Sequence, residues 1–199
     1  MSRTSRTILA SLIALASLTL LTAAPAPAAD TAPAPKAAGP ITAALVLNKD
    51  TYVLNPAQSG QAFRDKLEQM KKELKSPPAS PKVDITLRLT NISDKPFTFR
   101  IGGDESQISL KLDGPGAVTL PNMLAMTMEF RSGNPVTIAP GKTYDIAITS
   151  LTFGMRGVAE SAFWTEPGNY LLVATLTAAK DEGQVVYTTE AAKITVTKN

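Results

Sequence analysis

Apolar and polar positions alternate along much of the chain, and Pro, Gly and Asn punctuate the alternation. Residues 83–90 (VDITLRLT) and 144–151 (YDIAITSL) carry the period of two that sends every second side chain to one face of a strand. Shorter runs of β-formers recur at 41–47, 51–54, 97–101, 108–112, 117–120, 123–130, 136–138, 185–188 and 193–197. Between them stand turn formers: Asn48-Lys49-Asp50, Asp113-Gly114-Pro115-Gly116, Ala139-Pro140-Gly141-Lys142 and Asp181-Glu182-Gly183. Residues 91–96 should turn the chain so that 97–101 closes a hairpin on 83–90. The run 164–177 is the most distinctive: Pro167-Gly168-Asn169-Tyr170 opens onto a long strand pattern. A tyrosine at that corner marks the start of a late strand in an immunoglobulin-like sandwich. Leu172 and Ala174 then fall on one candidate core face.

One segment breaks the pattern. Phe63, Leu67, Met70 and Leu74 recur at spacings of four, three and four, which is one stripe of a helix, and charged residues fill the other faces. Asn55 or Ser59 can cap its start, and Pro77-Pro78 ends it. The expected fold is therefore all-β: an immunoglobulin-like antiparallel β-sandwich of about seven to nine strands, with one amphipathic helix over about 57–75 inserted between the first two strands. The mixed charge of that helix suits packing on a sheet better than a membrane surface.

The N-terminal end reads differently. Arg3 and Arg6 precede an apolar stretch at 8–21, and small residues follow, the order of a secretory signal peptide. The stretch is shorter than the roughly 20 residues that span a bilayer. Ala26-Pro27-Ala28 is the best cleavage site, so residues 1–28 are expected to be a signal peptide. Residues 29–40, rich in Ala and Pro, form a linker, and 41–199 form one domain. Export to the periplasm or the extracellular space follows. The net charge of +3 falls to +1 when Arg3 and Arg6 leave with the signal peptide, and a nearly neutral chain gives no footprint for nucleic acid.

Four pieces together resemble secreted bacterial immunoglobulin-like domains, including the BsuPI-type proteinase-inhibitor domain. They are Lys49-Asp50-Thr51-Tyr52, residues 87–96 (LRLTNISDKP), Ala139-Pro140-Gly141, and Pro167-Gly168-Asn169-Tyr170. The resemblance covers most of the mature chain and implies the fold. The inserted helix departs from it, and no inhibitory residue can be matched. Protease inhibition stands as an alternative function on this ground alone.

Chemistry is constrained by what the chain lacks. It holds no His and no Cys, which removes Ser-His-Asp and Cys-His nucleophile systems and histidine-ligated zinc or copper. No G-x-S-x-G or S-x-x-K element occurs in the mature chain. Asp104 and Glu105 adjoin in a glycine-flanked loop, as do Asp181 and Glu182, but neighbours on a turn point apart into water, whereas paired catalytic carboxyls face one another. Met123, Met126 and Met128 with Met155 offer thioethers for copper(I), although Met126, Met128 and Phe130 also share the period of a strand's buried face. Asn91-Ile92-Ser93 matches a glycosylation sequon, and an Asx-turn explains Asn91 equally well. Trp164 is the one Trp, either a sugar platform or a cover for the sandwich end beside Tyr170.

The expectation is a non-catalytic, cofactor-free binding module for an unknown protein or cell-envelope component. Loops at 102–106 and 153–161 are the places for a ligand, with Asp104, Glu105, Met155, Arg156 and Trp164 as candidate contacts.

Overall fold

A computed structural model of the chain describes residues 39–122, 129–155, 157, 159–181 and 183–198. The assignments for 1–38, the Met123, Met126 and Met128 positions, Arg156 and Glu182 lie outside the described residues. Among these residues, thirteen strands and one α-helix follow in order: β1 (Ile41–Leu47), β2 (Thr51–Val53), α1 (Gly60–Lys72), β3 (Lys82–Asn91), β4 (Phe97–Ile101), β5 (Ser106–Asp113) and β6 (Ala117–Asn122). Then come β7 (Asn134–Ile138), β8 (Thr143–Ser150), β9 (Thr152–Phe153), β10 (Ala159–Trp164), β11 (Gly168–Ala179), β12 (Gln184–Thr188) and β13 (Ala192–Thr197). The fold is an all-β sandwich with a single inserted α-helix among the described residues.

The first sheet runs β1-β3-β8 and is antiparallel throughout. The second is built on β11, which pairs with β13, β12 and β5, and meets β4 at its end. β7 extends β4, and β2 joins β13 in parallel. The chain thus leaves the first sheet after β1 and enters the second at β2, through the bend at Asn48 and Lys49, whose amides both donate to the Asp84 carbonyl. The core lies between these sheets. Ile85, Leu87 and Leu89 of β3 face Leu172, Ala174 and Leu176 of β11 in one buried cluster, as their period of two requires.

The corner before β11 is a tyrosine corner. Tyr170 is fully buried, and its hydroxyl donates to the Glu166 carbonyl at 2.7 Å, four residues upstream, and also meets the Pro115 carbonyl. Gly114 makes room for it: a Cβ there would stand 2.6 Å from the tyrosine ring.

α1 lies between β2 and β3. Phe63 and Leu67 bury against Leu120 and Phe163, forming a second small core on the sheet β6-β10-β9. The Phe63 and Phe163 rings meet edge to face at 5.8 Å. The helix is shorter than expected at both ends. Asn55 caps a separate turn at Pro56–Gln58, accepting from the Ala57 amide. At the other end Leu74 adopts φ 53°, its amide donates to the Lys71 carbonyl, and the Lys75 amide donates to that of Met70. That pair of bonds is a Schellman stop. Leu74 is consequently 74% exposed and not part of the buried stripe.

Strands β3 and β4 do not form the expected hairpin. β4 pairs with β7, Phe97 opposite Ile138. The turn between them is held by Asn91, which is completely buried. Its side-chain oxygen accepts from the Ser93 amide and hydroxyl, and its nitrogen donates to the Lys95 and Ile138 carbonyls at 2.8 Å each. This Asx-turn swings the chain from the first sheet to the second. It also occupies the nitrogen that a glycan would need.

Candidate functional site

Two of the loops singled out in the sequence converge on one cleft of about 600 Å³. The turn at 102–104 forms one end and residues 152–155 form another part of the wall. Between them run Ile108 and Leu110 of β5 and residues 146–150 of β8. Ile101, Ile148 and Phe153 complete an apolar floor, while Asp104, Ser106, Arg131, Thr149 and Thr152 supply polar groups. A concave, mostly apolar site with a few convergent polar groups is the usual form of a ligand pocket.

Each wall follows from local sequence. The Gly102-Gly103 pair takes φ of 83° and 60°, and a Cβ on Gly103 would fall 2.1 Å from the Arg131 carbonyl oxygen. Only glycine permits that approach. Asp104 and Glu105 then clasp the opposing segment rather than standing in water. The Asp104 carboxylate accepts from the Arg131 amide at 2.9 Å, and the Asp104 amide donates to the Arg131 carbonyl at 2.8 Å. Glu105 accepts from the Gly133 amide at 2.5 Å, while Arg100 donates to the Gly133 carbonyl at 3.1 Å and stands 4.0 Å from the Glu105 carboxylate. The expectation of two solvated carboxylates on a turn is corrected here. Each carboxylate accepts from a main-chain N–H of the 131–133 segment, and this bonding fixes the end of the cleft.

The segment expected as a loop at 153–161 is partly sheet. Thr152 and Phe153 form β9 and pair with Ser161 and Glu160 at the start of β10. A row of hydroxyls sits behind this wall. Ser80 meets Thr152, and Thr152 meets Ser161, each at 2.9 Å, and Asn122 donates to Ser161 at 3.0 Å. Ser161 is fully buried, so the row satisfies its own polar atoms and stiffens the wall.

Of the candidate contacts, Asp104 and Met155 line the cleft, and Glu105 stands behind it as a brace. Trp164 does not belong to the cleft. It is 3% exposed, with its ring 5.2 Å from that of Tyr52 and 6.2 Å from that of Tyr170. The packed alternative is the one observed. Sequence reasoning missed Arg131 and the five β8 residues, because YDIAITSL reads as an alternating strand and nothing local reveals that, among the described residues, it pairs on one side alone. The outer face of β8 carries a separate feature. Arg88 grips Asp145 with two bonds of 2.8 and 2.7 Å and, through them, holds that carboxyl below its ordinary range.

Among the described residues, no three acidic side chains gather as a metal site. No protein-family model matches the chain, and no curated protein matches its sequence.

Proposed function

We propose that the chain is an exported, non-catalytic binding module that acts in the periplasm or outside the cell. Its ligand is a protein or cell-envelope component taken in the cleft between β5 and β8. The observation that carries this reading is the convergence of both candidate loops on one apolar cleft whose polar walls are already braced by the protein itself. Groups held in place before a ligand arrives lower the cost of binding, and the absence of His and Cys leaves few routes to catalysis.

The test combines fractionation with capture. The chain should be recovered from the exported fraction beginning at Ala29, and should retain an envelope component that an Ile108→Arg variant of equal thermal stability loses. Recovery in the cytoplasm with residues 1–28 intact sinks the export reading, and equal retention by the variant sinks the cleft reading.

A further inference from the structure

The cleft touches Ile146, Ala147, Ile148, Thr149 and Ser150, five residues in a row. Side chains of consecutive strand residues point to opposite faces. A cavity that reaches all five therefore runs along the edge of β8, where the main chain is. β8 ends its sheet, and among the described residues it pairs only with β3. Half of the N–H and C=O groups of such a strand point away from its one neighbour and offer a row of donors and acceptors. Opposite this row stand Ile108 and Leu110, two apart on β5 and so on one face of it. One wall thus offers main-chain hydrogen bonds, and the other offers apolar contact at the two-residue spacing of a strand.

Charge narrows the occupant. Among the described residues, two charged ones, Asp104 and Arg131, line the cleft. The Asp104 carboxylate is engaged by the Arg131 amide. The Arg131 side chain is exposed and forms no ion pair among the described residues. A guanidinium so placed complements a carboxylate. β5 and the 102–104 turn wall the far side of the recess.

We propose that the cleft binds an extended polypeptide segment, added as a further strand along the free edge of β8, with a carboxylate of that segment at the Arg131 end. This rests on the binding-module reading and names its ligand class. Strand addition draws affinity from main-chain bonds and specificity from alternate side chains.

The probe is a library of random heptapeptides displayed with free carboxyl ends and selected on the full mature chain. Enriched peptides should carry apolar residues at alternate positions. N-methylation of alternate peptide nitrogens should weaken binding about tenfold or more, and N-methylation of the intervening ones should not. Amidation of the carboxyl end, or Arg131→Gln in the protein, should each cost about tenfold, and the two losses should not add. Amide exchange at alternate residues within 145–149 should slow on binding.

A selected peptide indifferent to the N-methyl pattern overturns strand addition, as does β8 exchange unchanged at saturation. No enrichment on wild type over the Ile108→Arg variant overturns it as well. An envelope component still captured through the cleft in that case leaves the binding module standing, so the two failures are separable.

Discussion

Replacing Tyr170 by Phe removes a single oxygen from a fully buried aromatic residue. The ring stays, so packing against Trp164 and the fit over Gly114 are kept. What goes is the donor to the Glu166 carbonyl, which also meets the Pro115 carbonyl. A net hydrogen bond is worth about 1 kcal/mol, and a buried acceptor left without a partner costs about 1–3 kcal/mol. Tyr170 is fully buried, so water does not replace the hydroxyl without opening the corner. The expected loss is about 2–3 kcal/mol, the lower part of that summed range because a carbonyl at a turn can relax toward solvent. For a domain of this size it corresponds to a fall in Tm of about 4–12 °C.

Urea unfolding followed by fluorescence of Trp164, 6.2 Å from the Tyr170 ring, measures this directly. The midpoint should fall with the slope unchanged, since the exposed surface of the two states hardly alters. A loss under about 0.5 kcal/mol would refute the reasoning. It would mean that the hydroxyl is no better placed than in water and that the corner is held by the ring alone.

Three further outcomes follow from the same geometry. Asn91→Ala should cost about 2–4 kcal/mol in chemical denaturation, because four bonds end on one buried side chain; a cost under about 1 kcal/mol would show that the Asx-turn holds without it. Leu74→Gly should stabilise by about 1 kcal/mol, because Leu pays for φ 53° at the helix stop and contributes no burial there; a loss of stability would place its side chain in a contact. Burial pushes Tyr187 from 10.0 up to about 12, so the folded state favours the neutral phenol. Its contribution is complete below pH 10 and is lost as pH rises through about 12, up to about 2–3 kcal/mol. Burial raises Tyr52 and Tyr170 in the same direction, so Tyr187→Phe should flatten the alkaline fall only in part, and an unaltered curve refutes the assignment.

Elements set by local periodicity were legible in the sequence. β3 and β11 bury every second residue as their patterns require, and Phe63 and Leu67 anchor the helix as their spacing implies. Legibility failed where pairing is decided at a distance. Phe97 and Phe99 look the same in sequence whether β4 folds back on β3 or crosses to β7; the choice is made by Asn91 reaching the Ile138 carbonyl, 47 residues away. The end of the helix failed for a different reason. A Schellman stop is usually announced by glycine, and here leucine occupies the left-handed position, so a stop looked like one more turn of the stripe.

The Asp104-Glu105 pair shows why a site is harder to read than a fold. Two adjacent carboxylates between glycines and a polar serine suggest either chemistry or solvent. Both inferences assume that their partners are side chains or water. Each instead accepts from a main-chain amide, that of Arg131 or of Gly133, a group that every residue carries and that no sequence pattern displays. The same holds for β8. Its side chains announce an alternating strand, while the edge turned away from β3, unpaired among the described residues, consists of main chain. The cleft is thus written largely in backbone: amides that hold its end, a glycine that lets two segments touch, and a strand edge along its length. Substituting its lining side chains should accordingly tune which segment is accepted, whereas loss of the Glu105 brace, through Glu105→Ala, should weaken every segment alike by letting the 102–104 wall move. Unequal losses across a set of selected peptides would assign Glu105 a direct contact and contradict the bracing role.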